Sequence, residues 1–373
     1  MQIEPIRTFY LPSGRVILSK TSDDYLIEST EMRDISVDGK NHSEVRSSLD
    51  PHVIWKHTVD IKDKWLLTVS TQKGCVHNCK FCDVANLPFK GNLTDHEILN
   101  QIKMLVSTTP ELISQTTQKA KIGFARMGEP AHNLTNVLNV IKYLKLSVWN
   151  KSNREEADNL RNKLYHQEFS DVYGYYINKY KNASRWTDEF YNLLFKINWL
   201  PCFNSILPRK TMDGMSGEDV VFKVIETKEK YCNGFLHFQI SCNSTDETKR
   251  KELFGGADVL SLEEIIKIIN KQKISNRTVT LNFIVMKNVP IDIDYLIKLG
   301  LNPQKFAVKL IPLNHTLNAE SNSLETEYDY DTYDELKKYS SEFEKAGIQV
   351  VYDAVAKCET AGLCCGQLAH IFG

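Results

Sequence analysis

From Trp65 onward, short apolar runs alternate with stretches of helical periodicity, and no other feature limits the fold as strongly. The runs are WLLTVS, KIGFA, LPCFNS, GFLHFQIS, TVTLNFIVM, FAVKLIP and IQVVYD. Between them the spacing predicts helices near Asp95 to Val106 and Leu134 to Leu144, from Asp246, from Ser261, from Asp292, and near Tyr333 to Ala346. Strands separated by whole helices pair in parallel, because an antiparallel return needs only a tight turn. About six such units in roughly 290 residues predict an α/β fold of partial (β/α)6 barrel type. In such barrels chemistry gathers at the carboxyl ends of the strands.

Two stretches fall outside the alternation. Residues 1–60 hold short alternating runs between turn-formers and read as a small β-rich segment preceding a barrel unit of 61–373. An insertion at about 148–198 is rich in Tyr and Trp, centred on DVYGYYINKYKNASRW, and helical in pattern. Aromatics interleaved with basic residues can stack bases. However, 151–190 carries seven basic and seven acidic side chains, so a helical hairpin packed on the barrel is the better expectation. Over the whole chain 46 Lys and Arg balance 47 Asp and Glu, which gives no general attraction to nucleic acid or anionic membrane. No apolar run approaches the ~20 residues of a membrane span. The opening MQIEPIRTFYLPSGRV lacks the layout of a secretory signal, so a cytoplasmic location is expected.

Nine cysteines, odd in number and clustered, fit metal or redox chemistry better than a disulfide framework. Cys202, Cys232 and Cys242 read as plain buried thiols. The stretch GCVHNCKFCD differs, placing Cys75, Cys79 and Cys82 on one loop directly after the first barrel strand. Three thiolates on a compact loop suit a four-iron cluster with one iron left open. A zinc site with His77 as fourth ligand is the alternative, but structural zinc sites usually pair two separated ligand couples.

The spacing Cys75-x3-Cys79-x-Phe81-Cys82 resembles the signature of the radical S-adenosylmethionine (SAM) superfamily. That resemblance implies a 4Fe–4S cluster on Cys75, Cys79 and Cys82, with SAM on the open iron. It also implies reductive cleavage of SAM, with electrons from a donor such as flavodoxin or ferredoxin. Further strings are VSTQKGC before the cluster, Arg126-Met127-Gly128-Glu129-Pro130, Ser205 in CFNSILP, and Ser241-Cys242-Asn243 followed by Arg250. KLIPLN, ending in Asn314, and Cys365-Gly366-Gln367-Leu368-Ala369 complete the set. Together they resemble the enzymes that methylate carbon 2 or carbon 8 of an adenine in 23S ribosomal RNA, over about Val69 to Ala369. The resemblance implies that Gly128, Glu129, Ser205, Ser241, Cys242, Asn243 and Asn314 bind SAM. By the same resemblance Cys365, in a tail of 354–373, is the catalytic methyl carrier, and a nucleobase carbon of RNA or a nucleotide is the acceptor.

The sequence also departs from that family. Its second catalytic cysteine, in L-C-V-S-S-Q, corresponds to Thr68 here, and a hydroxyl cannot attack sulfur as a thiol does. Cys364 or Cys358 is a candidate substitute. Asn243 stands where the family has histidine, CETAGLC replaces R-G-D-D-I-D, and the RNA-binding amino-terminal domain is shortened. Two alternatives therefore stay open: a non-methylating radical SAM enzyme acting on a modified nucleotide, peptide or small metabolite, and a catalytically inactive homologue that binds RNA or a partner.

Overall fold

The structure is a computed structural model that describes residues 3–11, 14–32, 43–46, 54–57, 65–109, 119–146, 156, 159, 194, 197–326, 334–352 and 364–372. Most of the aromatic insertion and the tail before Cys364, including Cys358, lie outside the described residues.

Three amino-terminal strands, β1 (Glu4–Leu11), β2 (Gly14–Lys20) and β3 (Leu26–Met32), form an antiparallel meander. A separate two-stranded ribbon follows, β4 (Ser43–Arg46) with β5 (Ile54–His57). The first barrel strand is β6 (Trp65–Val69), and a second small ribbon, β7 (Gln72–Lys73) with β8 (Gly91–Asn92), brackets the cysteine loop. The remaining strands are β9 (Ala120–Gly123), β10 (Trp199–Ser205), β11 (His237–Ser241), β12 (Val279–Val285), β13 (Phe306–Pro312) and β14 (Gln349–Tyr352). The described helices are α1 (Asp95–Ser107), α2 (Leu134–Leu144), α3 (Gly217–Tyr231), α4 (Glu247–Leu253) and α5 (Leu262–Asn270). Four more follow: α6 (Ile293–Lys298), α7 (Leu317–Ser321), α8 (Asp334–Lys345) and α9 (Gln367–Phe372).

The large sheet runs β1-β2-β3-β6-β9-β10-β11-β12-β13-β14. From β6 to β14 every neighbouring pair is parallel and the order is that of the sequence. A doubly wound sheet would reverse order at a switch point; a singly wound one keeps its helices on one side and curves as a barrel does. The meander joins the same sheet through β3, which pairs antiparallel with β6.

Alternation decides the two faces. Trp65, Leu67, Val69, Ile122, Phe203, Phe238, Leu281, Phe283 and Val308 point to the helices and form the core. Thr68, Lys121, Cys202, His237, Gln239, Asn282 and Lys309 alternate with them and line the other, concave face. The helices start where local chemistry says they should. Thr94 and Ser261 each close a capping box, with Glu97 and Glu264 respectively, satisfying amide groups that a helix start leaves open. Past its cap, α1 buries Ile98, Leu99, Ile102, Leu105 and Val106 along one stripe.

Candidate functional site

The motifs from Cys75 to Asn314 follow the ends of strands at one rim of the barrel, and the Cys365 motif lies at the start of α9. Cys75, Cys79 and Cys82 follow β6 and β7, and all three are half-buried free thiols. Their loop is held from outside by Asn318, whose Nδ2 donates to the carbonyls of Cys79 (2.8 Å) and Cys82 (3.2 Å). Asp83 caps the same turn, accepting from the amides of Asn318 (2.7 Å) and Leu317 (3.3 Å). Phe81 fills a small apolar cluster with Leu253, Met286, Val289 and Leu313. The aromatic before the third cysteine is therefore an anchor for the loop.

Burial drives the Cys75 thiol up to about 12, helped by Glu129, and also raises Cys79 and Cys82, where repulsion from neighbouring cysteines adds to it. Such thiols ionise only beside a cation. Among the described residues no group of three or more His, Cys, Asp or Glu converges on a single ion position. Three thiolates on one loop form a donor set that fits a four-iron cluster with one iron left open. His77 is also engaged elsewhere. The Met212 amide donates to His132 Nδ1 (3.1 Å), so a neutral His132 carries its proton on Nε2 and points it at His77 Nε2, 2.9 Å away. Burial and His132 press His77 down to about 4, which keeps both rings neutral.

Beside this loop, Gly128 has φ +95, and a Cβ there would lie 2.5 Å from Gln72 Cβ, so glycine is required by both backbone and space. Gln72 in turn accepts from the Glu129 amide at 2.8 Å. The Glu129 carboxylate accepts from the amides of Ala131 and Ile206, both at 3.0 Å. Burial nevertheless lifts its pKa to about 7, against the pull of Ser205 and those two amides. A neighbouring ammonium would restore the charged form. Ser205, at the end of β10, turns its hydroxyl toward the Leu207 amide as well, at 2.8 Å. Asn243 takes a left-handed φ of 62, accepts from the Ile284 amide at 3.3 Å, and leaves its buried Nδ2 without a hydrogen bond. Such an orphaned donor at the rim suits an acceptor on a bound nucleoside. Ser241 and Asn314 are half-buried at the ends of β11 and β13. Cys242 is different: it is fully buried in the apolar core with its thiol toward the Ile240 carbonyl, so its side chain does not face the rim.

Cys365 reaches the rim through a clamp that sequence reasoning missed. Glu28, fully buried on β3, accepts from Arg126 Nε at 2.7 Å and Nη2 at 2.6 Å. The same carboxylate accepts from the amides of Gly366 (3.1 Å) and Ala369 (2.9 Å), tying down the start of α9. Arg126 then donates to the Cys364 carbonyl (3.0 Å) and lies 3.7 Å from Cys365 Sγ. Burial opposes the Arg126 charge, but Glu28 and the Cys365 and Cys364 thiols raise its pKa overall. Gly366, at φ +80, passes so near the cysteine loop that a Cβ would meet Val84 at 2.6 Å. Cys365 is accordingly close enough to Cys82 to push that thiol up. The only hint in sequence was an acidic residue inside the alternating run LIESTEM. Thr68 sits lower, on β6, its hydroxyl bonded to that of Thr30. Cys364 is buried, its thiol 4.0 Å from the His315 carbonyl.

No family model matches the chain. It is 24% identical over 324 residues to RlmN of Aquifex aeolicus, covering 86% of this chain and 73% of that protein. Shorter stretches match more strongly: 33% over 99 residues with the dual-specificity RNA methyltransferase RlmN of Desulfotalea psychrophila, and 40% over 72 residues with the Leptospira interrogans protein. The last stretch spans about a fifth of either chain (19%). Among solved structures, a radical SAM methyltransferase from Sphaerobacter thermophilus superimposes with a TM-score of 0.56 at 17% identity, over 98% of this chain and 80% of that one. The chain thus resembles the RlmN proteins in sequence and shares its fold with a radical SAM methyltransferase.

Proposed function

We propose that this chain is a radical SAM methyltransferase that uses Cys365 as methyl carrier and acts on an adenine-like sp² carbon of RNA. The single observation that carries the reading is the placement of the Cys365 thiol beside Cys82 by the Glu28–Arg126 clamp. A 4Fe–4S cluster on Cys75, Cys79 and Cys82 with SAM would supply a carbon-centred radical, which an aromatic C–H carbon needs because it is too weak a nucleophile for ordinary methyl transfer. The chain's own residues do the positioning. Glu129, with Gly128 giving close backbone approach, receives an ammonium group, while Ser205, Ser241, Asn243 and Asn314 offer polar contacts around the rim. Arg126 holds Cys365 in register and keeps positive charge beside its sulfur. An electron donor of flavodoxin or ferredoxin type and a cytoplasmic setting belong to the same reading. Among the described residues no helix is long and apolar enough to cross a membrane.

Intact-mass measurement of protein produced together with an iron–sulfur assembly system tests it. A methyl group on Cys365 is expected, absent from Cys365→Ala and from Cys79→Ala, and the latter variant loses iron and sulfide as well. Unmethylated Cys365 in protein that still yields 5′-deoxyadenosine from SAM would sink the methylation and leave a non-methylating radical enzyme. Thr68 is the observation favouring that second reading, since its hydroxyl supplies no thiol for the family's release step.

A further inference from the structure

We infer that the amino end of the barrel, opposite the cysteine loop, is a binding site for a phosphate-bearing anion, built from Lys119, Lys121, His237 and Arg277. Lys119 precedes β9 and Lys121 is its second residue; His237 opens β11, and Arg277 stands just ahead of β12. Sheet register puts Lys121 and His237 on one face, and Arg277 joins them through its contact with His237. Lys121 pairs with Leu66 and Leu200, and His237 pairs with Cys202, which itself pairs with Gly123 beside Thr68. All of these side chains therefore turn away from the helices and into the concave lumen. Arg277 Nη1 lies 2.6 Å from His237 Nε2, so the guanidinium donates to a neutral ring.

The cations crowd one another. Burial presses His237 down to about 3, helped by Lys121, Arg277, Lys119 and Lys309, and Lys119 is lowered by burial, Arg277 and Lys121. Lys119 and Arg277 lead into strands with two others between them, and Arg277 nevertheless contributes to lowering Lys119. Among the described residues neither lysine nor Arg277 has a carboxylate partner, and Arg277 Nε is buried with no hydrogen bond. Several cations elsewhere face a carboxylate: Arg15 faces Glu31, Lys73 faces Asp23, Arg126 faces Glu28 and Lys228 faces Glu229.

Three uncompensated cations in a half-dehydrated lumen call for a multivalent anion with several acceptor oxygens. Phosphate meets a guanidinium fork and two ammonium groups together, which a single carboxylate does not. Its source is either a free oligophosphate or the backbone of RNA. The site is independent of cluster and SAM, so its failure would leave the proposed function standing.

Calorimetric titration of the full chain with inorganic tripolyphosphate, and separately with a single-stranded oligoribonucleotide, distinguishes these sources. Saturable binding is expected, weakened about tenfold for each cation removed in Lys121→Met and Arg277→Met and unchanged in Lys251→Met, an exposed control. Weakening with tripolyphosphate assigns a free anion, and weakening with the oligoribonucleotide alone assigns RNA. Because removing a crowded charge relieves repulsion, both variants should melt at or above wild type without anion, so a binding defect cannot be unfolding. Equal affinity in wild type and both variants, or no saturable binding of either probe, overturns the site.

Discussion

The two ends of the barrel treat charge in opposite ways. At the carboxyl rim Glu28 faces Arg126 and two backbone amides, and Glu129 faces two more, so each buried carboxylate is surrounded by donors. At the amino end Lys119, Lys121 and Arg277 have no carboxylate partner among the described residues. Charge withdrawn from water is tolerated only when compensated. The Glu28–Arg126 pair is a finished frame that fixes a thiol in place, and the amino end lacks a counter-charge.

Removing one member of the finished frame should have the largest consequence. Arg126→Ala leaves Glu28 buried without its counter-charge, a loss of about 3–5 kcal/mol for a broken buried pair, read as a fall in the urea midpoint at constant slope. Replacing both residues with methionine should recover most of that stability while releasing the tail. A cost below about 1 kcal/mol for Arg126→Ala, the size of an exposed pair, would erase the contrast between the ends.

Next in size is a pH effect at the amino end. The folded state holds His237 at about 3, below its unfolded value of 6.5, so the unfolded chain binds more protons between these limits. The stability linked to a neutral His237 is complete above 6.5 and is lost as pH falls toward 3. His237→Gln should flatten this part of the stability profile in urea unfolding, and saturating tripolyphosphate should flatten it in wild type by restoring counter-charge. An unchanged slope in the variant would show that the crowded cations do not govern that ring.

The smallest effect belongs to the outer edge of the cysteine loop. Lys80 bonds Glu252 at 2.7 Å, but both side chains are substantially open to water. Lys80→Ala should cost less than about 1 kcal/mol in the same unfolding measurement and leave iron content intact. A larger loss would make that exposed contact part of the frame.

Local patterns carried much of this protein into view from sequence. The run TVTLNFIVM is a strand because its alternate residues Val279, Leu281, Phe283 and Val285 all find the core, and Leu134–Leu144 is a helix because Val137, Ile141 and Leu144 fall on one stripe. The spacing of Cys75, Cys79 and Cys82 was legible for the same reason, since a loop of eight residues is its own context. Only the tertiary structure decided which of the remaining candidates meet. Cys242 sits in the SAM-like string Ser241-Cys242-Asn243, yet alternation turns its thiol into the core while Asn243 turns toward the rim. Glu28 and Gly366 are 338 positions apart, and Arg277 and His237, 40 positions apart, meet across neighbouring strands. Periodicity and spacing act over a few residues and are written in order along the chain. Pairing between distant charges depends on register and curvature of the whole sheet, which no short stretch contains.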